Sequence, residues 1–192
     1  MKVIKFGGSS VATPARIKEV IAIVEPYLKG DVAVVFSAFG GITDTLIQIS
    51  KLALEGNLDY KDKLAALETR HLEAVNELIT IQRQSKILAQ VKFMVNELED
   101  LLHGIFLVKE RTPRTLDFIM SFGERLSAYI IAEAFKDAGH DVAFLDARKL
   151  IRTDNHFGYA KVDFDKTNKL IQDHFKHHEE VQIITGFVAT SE

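Results

Sequence analysis

Cysteine is missing from all 192 residues, so disulfides, thiolate metal sites and a cysteine nucleophile are excluded at once. No apolar run approaches the roughly 20 residues that cross a bilayer, and the N-terminus lacks the charged-then-apolar layout of a secretory signal. The expectation is a soluble, cytoplasmic protein with no membrane partner. No lysine-rich or arginine-rich block stands out against a net charge of −3, which argues against a nucleic-acid surface. Any anionic ligand must therefore meet positive charge that is placed locally. Internal repeats, low-complexity tracts and flexible linkers are also lacking. What is present is a 47% hydrophobic content, enough for a substantial core as one domain or as one domain plus a subdomain.

Four short segments rich in Val, Ile and Phe read as buried strands: Lys2 to Phe6, Val32 to Ser37, Val142 to Leu145 and Val181 to Phe187. Amphipathic helices alternate with them, which predicts an α/β protein with a mostly parallel sheet covered on both sides. Thr13 before Pro14 is a helix start, with Ile17, Val20, Ile21 and Val24 on one face. From about 59 to 110 the pattern is wholly helical. Leu64, Leu67, Leu72, Val75 and Leu78, then Ile87, Val91, Val95, Leu98 and Leu102, mark an all-helical insert, read as a hairpin closing near His103 and Gly104. A helix from about Thr115 to Ala138 follows, with Ile119, Phe122, Leu126, Ile130 and Ala134 on one face and a stop at Gly139. Asp163 to His174 forms the last helix.

In an open parallel sheet the ligand crevice lies beyond the carboxyl ends of the strands. Here those exits are rich in small and polar residues. The first strand runs straight into Gly7, Gly8, Ser9 and Ser10, with Lys5 just before the turn. Paired glycines let the backbone present its N–H groups to a phosphate, and a following helix adds a positive end. The spelling is neither a P-loop nor a dinucleotide fingerprint, so an ordinary Gly-Gly turn remains the competing reading. The second strand leads into Ser37, Ala38, Phe39, Gly40, Gly41, Ile42 and Thr43, and the last into Gly186 and Phe187.

Glu124 has Met120, Ser121, Ser127 and Ala128 as helical neighbours, none of them a cation. Gly123 beside it costs helix stability, roughly 1 kcal/mol against alanine, and leaves room for something to approach. A solvated surface carboxylate and a ligand partner both remain open. Thr43 or Asp44 would cap the helix that begins there. His174 and His178, one turn apart, are read as a solvated helix end rather than as metal ligands, and Arg152, Thr153 and Asp154 as a polar loop.

Taken in order, K-F-G-G-S-S-V-A, S-A-F-G-G-I-T-D, S-F-G-E-R-L-S, I-R-T-D-N-H-F-G and I-T-G-F-V-A resemble the landmarks of aspartate kinases, members of the amino acid kinase family. The resemblance runs from end to end. It implies a three-layer α/β/α sandwich around a mostly parallel sheet. It also implies transfer of the γ-phosphoryl of ATP, as its Mg²⁺ complex, to the β-carboxylate of L-aspartate, the entry step to lysine, threonine and methionine. By the same resemblance Lys5, with Gly7, Gly8 and Ser9, would hold the phosphates. Ser37, Thr43, Glu124 and Phe187 would hold aspartate, with Glu124 facing its ammonium group and no residue assigned to a metal.

The family's G-R-G-G-S-D segment, which follows the T-G-F strand, has no counterpart here. The expectation is accordingly that residues 1–192 form an amino-terminal lobe of the kinase domain, incomplete at its C-terminus and weak or inactive alone. The parent would be a homo-oligomer through regulatory domains lying elsewhere. Two alternatives stand beside this: a non-catalytic amino-acid-binding lobe, and the kinase part of a bifunctional aspartokinase/homoserine dehydrogenase.

Overall fold

The computed structural model describes residues 1–191. β1 (Lys2–Phe6), β2 (Val32–Phe36), β3 (Val142–Leu145) and β4 (Val181–Thr185) form one sheet in the order β1-β2-β4-β3, every pair parallel. The crossovers are α1 (Pro14–Val24), then α2 (Ile42–Leu54), α3 (Asp59–Leu78), α4 (Ile81–Val108) and α5 (Pro113–Asp137), and finally α6 (Phe164–His177). This is the expected α/β architecture. Each strand lies within a residue or two of the segment its sequence marks out.

Strand alternation assigns the layers. Phe144 of β3 meets Tyr129 of α5 edge-on at 5.7 Å, whereas Gln182 of β4, one residue out of phase with that row, bonds His174 of α6 at 3.2 Å. A one-residue step reverses the face, so α5 and α6 cover opposite sides. β1 is an edge strand, and Val3 keeps 62% of its surface exposed.

Local chemistry sets the helix ends. Thr13 accepts from the Arg16 amide at 3.3 Å and Pro14 opens α1, as the sequence predicts. Gly139, at φ 89°, stops α5. Asp163 caps α6 through the Lys166 amide at 3.0 Å.

The hairpin differs from expectation. It turns at Ile79 and Thr80, and His103 and Gly104 lie inside α4. Leu98, Leu102 and Ile105 keep one buried stripe running through that point, and nothing lies within 4 Å of where a Gly104 side chain would start. One exposed glycine, at about 1 kcal/mol, does not outweigh a stripe of buried leucines. Thr80 is pinned instead to the end of α5, its amide and hydroxyl donating to Asp137 at 2.9 and 2.8 Å.

α5 is the centre of the molecule. Between Ser121 and Ala128 every residue is buried, because the sheet lies on one side and the insert on the other. The apolar stripe in its sequence describes only part of what it buries. Among the described residues no helix is long and apolar enough to cross a membrane.

Candidate functional site

The strand exits converge. The sheet ladder continues past β2, the Ser37 amide donating to the Phe6 carbonyl at 3.1 Å. Gly8 then lies so close to the β2 loop that a methyl group on it would be 2.9 Å from the Ala38 carbonyl oxygen and 3.4 Å from Gly40 Cα. The third exit joins them through the Gly186 amide, which donates to the Phe36 carbonyl at 2.8 Å. Three glycine-bearing turns thus make one cluster at one edge of the sheet. Gly7 stands apart from this crowding: nothing lies within 4 Å of the position a side chain would take. Its backbone is open to an approaching group.

α5 closes the cluster from below. A methyl group on Gly123 would fall 2.9 Å from Ala38 Cβ, so what the glycine admits is the β2 loop itself. Ser127 donates from its hydroxyl to the Ser37 carbonyl at 2.8 Å. Glu124 is 5% exposed, which rules out the solvated reading. The cause is the all-round burial of α5. Its Oε1 accepts from the Ala38 amide at 3.4 Å, and among the described residues no cation pairs with it. Burial pushes its pKa up, with the Ala38 amide acting in the opposite direction. Arg125 does not neutralise it. That guanidinium turns away to Glu97 at 3.0 Å and Asp146 at 3.9 Å, with its centre 4.3 Å from the Phe122 ring.

The remaining sequence candidates are spread around this centre. Gly41, at φ 82°, caps α2 with no side-chain bond, so neither Thr43 nor Asp44 serves as the cap, and the half-buried Thr43 stands in the first turn. Lys5 is exposed, on the strand face opposite Phe6, in the row that carries Val35 and Ile184. It forms no ion pair with any described residue. Ser9 is exposed, and its carbonyl accepts from the Arg16 guanidinium. Phe187 has a left-handed backbone, φ 57°, and its ring is 91% exposed. The structure brings the preceding residue, Gly186, to the cluster and leaves Phe187 in solvent.

Two residues of the insert reach the same place and are not visible as site residues in the sequence. Arg70 donates to the Gly40 carbonyl at 2.9 Å and to the Ala12 carbonyl at 3.0 Å. His71 is fully buried, stacks on Phe39 with ring centroids 5.0 Å apart, and donates from Nδ1 to the Leu67 carbonyl at 2.8 Å. Burial brings its pKa down to about 4. The available signal is its place on the stripe Leu64, Leu67, His71, Val75, a polar side chain where every neighbour is apolar. Arg70 offers none.

A family model described as the amino acid kinase family matches residues 1–192. The chain is 33% identical to aspartokinase 1, chloroplastic, of Arabidopsis thaliana, over 97% of this chain and 33% of that protein. It is 27% identical to the bifunctional aspartokinase/homoserine dehydrogenase 2, chloroplastic, of Zea mays, over 97% of this chain and 21% of that protein. Among solved structures, aspartokinase III of E. coli in complex with aspartate and ADP superposes with a TM-score of 0.85 at 25% identity, covering 97% of this chain and 40% of that one. The chain thus spans a fifth to two fifths of these relatives.

Proposed function

The chain belongs to the amino acid kinase family, and from that premise we propose that it supplies the amino-acid-binding and phosphate-facing part of an aspartate kinase, which moves the γ-phosphoryl of ATP onto the β-carboxylate of L-aspartate. The observation that carries this reading is Glu124, a buried carboxylate that takes one long hydrogen bond from outside its own residue, the Ala38 amide at 3.4 Å, and has no cation partner among the described residues. A buried anion in that state is costly. The ammonium group of an amino acid supplies the missing charge.

The acceptor needs no general base. A free β-carboxylate, which ordinarily titrates at about 3.9, is ionised near neutrality. This chain's task is then placement and charge. Glu124 fixes the ammonium group, and Ser37 and Thr43 offer hydroxyls on the acceptor side. The open backbone at Gly7 and the exposed Ser9 leave room for phosphate oxygens, and Gly8 lets the turn that carries them pack against the β2 loop. Lys5 supplies the positive charge that offsets negative charge building on the transferred group. Phe187 is read as a wall of the same pocket.

ATP binds here through its phosphates, and Mg²⁺ enters as part of the ATP complex. No residue of the chain is assigned to the ion in this reading. In this reading residues 1–192 belong to the amino-terminal part of the catalytic domain, and the protein works in the cytoplasm. The whole protein is a homo-oligomer.

Calorimetric titration with L-aspartate, of the chain and of Glu124→Gln, tests the reading. Saturable binding weakened at least tenfold by the substitution is expected. Equal binding by both proteins, or none by either, would overturn the assignment of a preformed ammonium site.

A further inference from the structure

Arg70 lies 30 residues from one of its partners and 58 from the other. The helix bearing it belongs to the insert, outside the sheet. Its two terminal nitrogens are nonetheless divided between the two loops that matter: Nη1 donates to Gly40 in the β2 loop, and Nη2 to Ala12 at the end of the β1 turn. Those loops touch at several points. A methyl group on Gly40 would fall 3.1 Å from Ala12 Cβ and 3.2 Å from the Gly8 carbonyl oxygen. The next residue, His71, holds the same loop by stacking on Phe39. Consecutive residues of α3 therefore grip Phe39 and Gly40, and only Arg70 reaches across to the β1 side.

We infer that Arg70 is a positioning residue whose forked guanidinium sets the spacing between the β1 turn and the β2 loop. A planar fork can satisfy two carbonyls at a fixed separation, which a lysine ammonium, one point charge on a flexible stem, does not reproduce. The consequence for chemistry rests on the proposed function: one loop faces the phosphates and the other the acceptor, so their separation is the donor-to-acceptor distance. In-line transfer is sensitive to displacements of about 1 Å. The helical insert is thereby part of the device that aligns the reactants, although it offers no group to either.

Residue-resolved amide exchange on the ligand-free chain tests this, reading Ser10 and Ile42, whose amides donate to Gly7 and Phe39. In Arg70→Ala both amides are expected to exchange at least tenfold faster, while amides of α5 and the central strands change less than twofold. In Arg70→Lys only one of the two loops loosens. With L-aspartate added, protection in the wild type spreads from the β2 loop to Ser10. In Arg70→Ala the spread disappears. Unchanged exchange at both amides in Arg70→Ala, or uniform loosening of α3 and α4 instead, would overturn the inference. If the wild type binds no aspartate, the amino-acid reading fails, and the brace is decided by the ligand-free comparison alone.

Discussion

α5 and β1 both serve the cluster, and solvent treats them in opposite ways. Glu124 of α5 is largely stripped of water and held by backbone amides alone, its own and that of Ala38, next to a loop that Gly123 allows to approach within van der Waals contact. Lys5 of β1 stands on an edge strand, exposed, with no ion pair among the described residues. Desolvation makes a charge strong and demanding, whereas hydration makes it cheap and weak. Under the proposed function the buried side is the preformed, selective half of the site, and the exposed side is the half that ligand must complete.

The sharpest way to break that comparison is to titrate the buried side. His71 takes up its proton only below about 4 in the folded chain, against 6.5 for the free side chain. Between those values the unfolded chain binds more protons, so stability falls as pH is lowered through 6.5 toward 4, by on the order of 3 kcal/mol. Denaturant unfolding at pH 7 and pH 4.5 should show this loss in the wild type and much less of it in His71→Gln. Equal pH dependence in the two proteins would mean that His71 is not held neutral by burial.

A second test works on contact rather than charge. Gly123→Ala places a methyl group 2.9 Å from Ala38 Cβ and should cost about 1–3 kcal/mol, as overpacking does, with aspartate affinity falling in parallel because the Ala38 amide is pushed from Glu124. A variant as stable as the wild type would show that the β2 loop yields freely. The smallest effect is expected on the exposed side. Phe187→Gly relieves a left-handed backbone and sacrifices little packing, so it should raise stability by about 1 kcal/mol. A loss instead would reveal that the ring is packed in solution.

The same division explains what the sequence makes legible. β1, β2, β3 and β4 are visible as short β-branched runs, and their exits as glycine-bearing turns, because both signals are local. Thr13-Pro14 and Gly139 mark helix ends for the same reason. The burial of Glu124 is not local: it follows from α5 being enclosed by the sheet and the insert, and the one-faced stripe in its sequence conceals that. The turn at Ile79 and Thr80 is set by Asp137, 57 residues away, and so escapes any window of neighbouring residues. Arg70 escapes for the same reason, since its partners are carbonyl groups, which every residue possesses.

Ala38 and Gly123 share a single methyl group between two backbones. The space constrains the sum of the two side chains and leaves open which one carries the carbon. Ala38→Gly should therefore make alanine tolerable at position 123, so neither residue is indispensable taken singly. For anyone varying this protein, the unit of inheritance at that point is the pair. A library that randomises the two positions together will recover solutions that one-at-a-time scanning discards.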